Sequence, residues 1–165
     1  MKQIDKNGLI LCELQGQAFQ LSVSDTQTSS EIFIRRFMKS DIARKLDGSY
    51  GLTEILTPED ILSRVEEQYG KSEYGSVKFS SEEMYWIGYL YRYFAYTYDM
   101  TSPQIYKLVK GRELRKLYVP YHSLDCSHAI DRILESKNRR MDDDSELQRQ
   151  YAIFVAIRRG KKPPL

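Results

Sequence analysis

Ser80-Ser81-Glu82-Glu83-Met84-Tyr85-Trp86-Ile87-Gly88-Tyr89-Leu90-Tyr91-Arg92-Tyr93-Phe94-Ala95-Tyr96-Thr97-Tyr98 is the stretch whose reading decides the fold. Two serines followed by two acids form a helix start, with the carboxylates on the positive end of the helix dipole. Met84, Ile87, Tyr91, Phe94 and Tyr98 recur at helical spacing, and Trp86, Leu90 and Tyr93 lie beside them. Eight of the 14 residues from Tyr85 to Tyr98 are aromatic. A helix apolar nearly all round belongs at the centre of a helical domain, covered by its neighbours.

Working outward, the flanking segments read as helices too. Ser29 or Ser30 caps one that carries Ile34, Met38, Ile42 and Leu46 on a single stripe widened by Phe33 and Phe37, and Gly48 ends it. Thr57-Pro58-Glu59-Asp60 opens the next, with Ile61, Leu62, Val65 and Tyr69 inside and Gly70 at its end. Thr101-Ser102-Pro103 caps a short helix with Ile105, Leu108 and Val109. Gly111 turns the chain into another with Leu114, Leu117 and Tyr118, which Pro120 breaks. Ser123 starts a helix containing Cys126, Ile130, Ile133 and Leu134. After the acidic run Asp142 to Asp144, Ser145-Glu146-Leu147-Gln148 reads as a capping box for a last helix with Leu147, Tyr151, Phe154 and Val155. The N-terminus reads differently. Phe19, Leu21 and Val23 alternate with a period of two after Gln15-Gly16, so residues 8–24 are expected to form a β-hairpin.

The expected fold is therefore mainly α, a compact helical bundle of six to seven helices with an N-terminal β-hairpin. The expected organisation is a hairpin and linker over residues 1–28, a helical domain over 29–158 and a basic mobile tail over 159–165.

Composition narrows the function classes. The chain has 165 residues with 25 Lys plus Arg against 23 Asp plus Glu, net +2, short of the charge of a dedicated nucleic-acid domain. No run approaches the apolar length of a membrane helix. The N-terminus lacks the pattern of a secretory signal, and two cysteines, Cys12 and Cys126, cannot form a disulfide framework, so a cytoplasmic protein with free thiols is expected. Thirteen of the 20 aromatic residues are tyrosines, a ring with a polar tip that suits half-wet positions.

One cluster combines catalytic residue types: His122, Asp125, Cys126 and His128. His122 and Cys126 share a helix face, but His128 lies roughly 200° around the helix from Cys126, so one helix cannot aim all three at a metal. A Cys126–His122 nucleophile pair would still need an oxyanion hole that the sequence does not supply. The simpler reading is a buried Cys126, with His122 and Asp125 capping the helix start. There is no phosphate-binding glycine loop and no zinc-protease motif. No catalytic residue, metal or cofactor is expected, and an enzyme is not.

Residues 101–118 make a candidate helix-turn-helix. From Ser102 to Arg140 nine basic residues face four acids. A DNA reader would set Arg112, Arg115 and Lys116 against phosphates or guanine edges, and operator DNA is the partner this reading implies. In the alternative reading, Leu114, Leu117 and Tyr118 are ordinary core of a helix corner whose exposed faces are basic.

On the tyrosine helix, Tyr91, Phe94 and Tyr98 read as core. Tyr85, Tyr89, Tyr93 and Tyr96 with Arg92 read as surrounding the helix, so that some are exposed or meet a protein partner. Tyrosine and arginine are enriched at interface hot spots. A second copy of the chain is a further candidate partner.

Residues 30–40, Ser30-Glu31-Ile32-Phe33-Ile34-Arg35-Arg36-Phe37-Met38-Lys39-Ser40, and residues 83–92, Glu83-Met84-Tyr85-Trp86-Ile87-Gly88-Tyr89-Leu90-Tyr91-Arg92, resemble a small bacterial family of antitoxin-like companions of ADP-ribosyltransferase-like toxins. Ser102 to Leu108 and Leu117 to His122 are similar to a short helical companion domain of the same loci. The resemblance spans roughly residues 30–133 and leaves the N-terminal segment and the basic tail outside it. It implies a non-enzymatic protein that binds a toxin encoded nearby and, as an antitoxin, also contacts its own operator.

Overall fold

A computed structural model describes residues 1–48, 55–143, 153 and 155–160. Helices dominate: α1 (Lys6–Asp25), α2 (Ser30–Met38), α3 (Asp41–Asp47), α4 (Pro58–Tyr69), α5 (Ser81–Tyr98), α6 (Ser102–Leu108), α7 (Gly111–Tyr121) and α8 (Cys126–Asp143). Residues 155–158 are helical as well, and no strand occurs among the described residues. The chain divides into two compact units, Met1–Leu124 and Asp125–Leu165. No helix among the described residues is long and apolar enough to cross a membrane.

The expected N-terminal hairpin is instead the 20-residue helix α1. Asp5 caps it, accepting the Gly8 N–H at 2.8 Å. Its buried residues are Gly8, Leu11, Cys12, Gln15, Gly16, Ala18, Phe19 and Ser22, a helical spacing. Two are glycines, one is a glutamine and one a serine, so the buried face does not read as apolar. Leu21 and Val23, which supply the two-residue alternation with Phe19, are only half-buried. Gln15-Gly16 is not a turn; it is the middle of the helix.

The helix expected from Ser29 or Ser30 to Leu46 is two. Ser29 caps α2 by accepting the Ile32 N–H. Ser40 ends it and starts α3: its hydroxyl donates to the Phe37 carbonyl at 2.6 Å and accepts the Ala43 N–H at 3.1 Å. Ile34, Met38, Ile42 and Leu46 are buried all the same. Phe19 of α1 meets Phe33 and Phe37 of α2 edge-on, at centroid distances of 5.3 and 5.0 Å.

Helices α4, α5 and α6 begin at capping boxes on Thr57, Ser80 and Thr101. Pro120, expected to break its helix, lies in the last turn of α7, which runs one residue further to Tyr121. Near a helix end the missing N–H and the ring cost little. Gly111 is not a left-handed turn residue: it is the first residue of α7, and a Cβ there would come within 2.7 Å of Ile34 on α2. Helix α8 starts at Cys126 rather than Ser123, and runs into the acidic stretch as far as Asp143. The capping box at 145–148, the residues Leu147, Tyr151 and Phe154, and most of the basic tail lie outside the described residues.

Within the first unit α5 is central. It lies along α1 and also packs on α6 and α7. Its buried residues run from Met84 to Thr97 and point all round the helix. The C-terminal end of α1 is closed by Lys78, whose Nζ donates to the carbonyls of Ser22 (3.3 Å) and Thr26 (2.7 Å).

Candidate interaction surface

The contact between α1 and α5 places the predicted site residues. The two helices run antiparallel, with Gly8 beside Tyr96 and Gly16 beside Tyr85. At Gly88 a Cβ would come within 2.6 Å of the Phe19 ring and 2.8 Å of the Gln15 carbonyl oxygen, so glycine lets the two backbones touch. Gly8 and Gly16 seat two tyrosine rings in the same way. An acid lies three residues before each seat. The Tyr96 hydroxyl donates to Asp5 Oδ1 at 2.7 Å, and the Tyr85 hydroxyl donates to Glu13 Oε2.

These bonds and burial raise both tyrosines above their ordinary value. Tyr96 is pushed up to about 12, first by its bond to Asp5 and then by burial. Tyr85 is raised further, first by burial and then by its bond to Glu13. Each hydroxyl stays neutral and donating at ordinary pH.

Tyr85, Tyr89, Tyr93 and Tyr96 are all half-buried. At 100° per residue they fall within an arc of about 80° on α5. The expectation that the five site residues surround the helix is thus corrected: the four tyrosines form one row, on the flank of the α1 contact. Tyr85 and Tyr89 are ring neighbours at 5.9 Å. Lys2 covers the Tyr96 ring, its Nζ 4.5 Å from the centroid, and bonds Asp99 Oδ1 at 3.0 Å. Leu9 of α1 remains 43% exposed.

Arg92, expected with the tyrosines at this surface, is buried at 1% exposure. Its guanidinium donates to Gln15 Oε1 (2.7 Å), Asp47 Oδ1 (2.7 Å) and Ser102 Oγ (3.0 Å). These partners belong to α1, α3 and α6, so Arg92 ties the bundle together. Its charge has no access to a partner.

The residues of the DNA reading lie on α7. Helices α6 and α7 are joined by Val109 and Lys110. Arg112 is exposed and paired with Glu31 of α2 at 2.7 Å. Arg115 meets Glu83 of α5 at 3.2 Å and lies 4.3 Å from the Phe79 ring centroid. Lys116 is exposed. Two of the three cations thus have carboxylate partners within the chain.

The cysteine–histidine cluster does not assemble into a constellation within either unit. His122 is the C-cap of α7, its Nδ1 2.7 Å from the Tyr118 carbonyl oxygen and its ring stacked on Tyr118 at 4.4 Å. Cys126, expected to be buried, is half-buried at the start of α8, and even so burial pushes its thiol up to about 11, away from the reactive thiolate. His128 is exposed. Among the described residues no three His, Cys, Asp or Glu side chains group as a metal site requires.

Sequence reasoning missed the whole α1 half of this surface: Asp5, Gly8, Glu13, Gln15 and Gly16. One signal was available, an acid three residues before a glycine, twice, eight residues apart. Compared with protein-family models, with curated proteins and with solved structures, the chain has no match.

Proposed function

We propose that this chain is a non-enzymatic interaction module of the cytoplasm. It would act as an antitoxin-like partner that binds and neutralises an ADP-ribosyltransferase-like toxin through the tyrosine row of α5. The observation that carries this reading is the row itself: Tyr85, Tyr89, Tyr93 and Tyr96, half-buried on one arc of a rigid central helix. Tyr85 and Tyr96 are held at its two ends by hydroxyl bonds to α1. Aromatic side chains held in place before binding lose little freedom when a partner arrives, which is how tyrosine-rich surfaces gain affinity. The toxin class rests on the resemblance alone.

Co-expression with the neighbouring reading frame tests it. The expected result is co-purification and rescue of growth, both lost in a Tyr89→Ser/Tyr93→Ser double variant that still folds. No captured partner, or capture untouched by that variant, ends the proposal.

A DNA-binding regulator is the second reading, supported by the short connection between α6 and α7 and the exposed Lys116. A mobility shift with the upstream promoter at low salt separates the two, because phosphate contacts are strongest there.

A further inference from the structure

Three helices bring cations together around Tyr106 of α6. Lys110, between α6 and α7, holds its Nζ 4.2 Å from the Tyr106 ring centroid, and Lys39, which follows α2, holds its Nζ at 6.0 Å. Burial raises the Tyr106 hydroxyl above its ordinary value, while Arg35 of α2 and Arg112 of α7 act to lower it and Glu31 to raise it. Arg35, Lys39, Lys110 and Arg112 are exposed, while Tyr106 is half-buried. Ile32, Arg35, Tyr106, Lys110 and Arg112 line a groove of about 450 Å³. That volume lies within the range of small-ligand sites.

Two acids share the groove with these cations. Glu31 pairs with Arg112 at 2.7 Å, and Glu113 Oε1 accepts the Lys110 backbone N–H at 3.4 Å. No carboxylate among the described residues pairs with Arg35. Three lining cations, Arg35, Lys110 and Arg112, against these two acids leave a local excess of positive charge, to which the nearby Lys39 adds, at a cost in mutual repulsion. A bound anion would relieve it. Two guanidinium forks and an ammonium suit the spread oxygens of phosphate groups. Tyr106 and Ile32 supply an apolar floor.

We propose that this groove binds a small anion bearing two or more phosphate-type charges, seated between Arg35, Arg112 and Lys110 above Tyr106. The site is independent of the tyrosine row on α5. Its size suits a compact anion rather than a length of duplex.

Isothermal titration of the full chain with inorganic pyrophosphate at low salt tests this. The expected result is saturable 1:1 binding, weakened about tenfold by Arg35→Gln and by Lys110→Gln, since each removes a charge-assisted bond. Lys71→Gln, which removes an exposed charge outside the groove, should leave it unchanged. Thermal unfolding of each variant confirms that the exposed substitutions leave the fold intact, and if Arg35→Gln unfolds, Lys110→Gln decides. Three results would overturn the site: no saturable heat with the unaltered chain, equal weakening by Lys71→Gln, or binding of a short DNA duplex that pyrophosphate does not displace.

Discussion

The guanidinium of Arg92 and the carboxylate of Asp47 meet at 2.7 Å with side chains only 1% and 6% exposed. Asp47 also accepts the backbone N–H and the hydroxyl of Ser102, at 2.8 and 2.7 Å. One carboxylate therefore neutralises the buried charge of α5 and holds the start of α6. Asp47→Ala leaves a buried guanidinium uncompensated and is expected to cost about 3–5 kcal/mol. Asp47→Leu combined with Arg92→Met should recover much of that loss, because both charges are then gone. Urea unfolding of Asp47→Leu, of Arg92→Met and of the double variant measures the cycle; additive losses would show that the pair is not coupled.

Gly88→Ala sets helix propensity against packing. In an open helix the change gains about 1 kcal/mol. Here the added methyl would lie 2.6 Å from Phe19 and 2.8 Å from the Gln15 backbone oxygen. Overpacking against backbone is expected to win, with a net loss of about 1–3 kcal/mol. A lowered midpoint in thermal unfolding is the outcome to look for.

The Tyr96–Asp5 bond makes stability depend on pH at both ends. Tyr96 titrates near 12 in the fold, against about 10 in an unfolded chain. Its contribution is therefore complete below pH 10 and is lost as pH rises through about 12. Asp5 is shifted the other way, below its ordinary value, with the Tyr96 hydroxyl as the main cause. That contribution is present above the ordinary carboxylate range and is lost as pH falls below it. Tyr96→Phe should flatten the stability profile at both extremes, with its largest loss near neutrality, where both contributions are complete. Absorbance of tyrosinate and unfolding across pH check the two limbs.

Lys78 offers a local test of how α1 ends. Its ammonium is part-buried on the Ser22 and Thr26 carbonyls, and burial lowers its affinity for the proton. Lys78→Met removes the donors and keeps the stem. The expected loss is about 1–2 kcal/mol, since a charged donor to backbone carbonyls is partly offset by its own desolvation. Amide exchange should quicken in the last turn of α1 and stay slow in α5.

Much of the fold was legible because its signals are local. The capping boxes at Thr57, Ser80 and Thr101 and the all-round apolar character of α5 read directly from neighbouring residues. The break at Ser40 was missed because the stripe Ile34, Met38, Ile42 and Leu46 continues straight through it. Helix α1 was missed because its buried face is built from Gly8, Gln15, Gly16 and Ser22 among its apolar residues. Glycines are unfavourable inside helices by propensity, and only a close neighbour explains them. The tyrosine excess was legible in the composition, its arrangement as one row was not, and its seat on α1 depends on contacts between residues some 70 to 90 positions apart.

By itself, then, the sequence determined that the chain is mainly helical, that residues 81–98 form its central helix, and that most of that helix's tyrosines fill positions neither dry nor wet. Those properties follow from spacing, caps and side-chain chemistry within a turn or two. Only the tertiary structure decided what covers that helix, where the tyrosine face lies relative to α1, and that Arg92 belongs to the interior. An arginine reads the same in sequence whether it reaches solvent or Asp47. The difference is the low-dielectric surroundings and the three oxygen partners that α1, α3 and α6 bring to it.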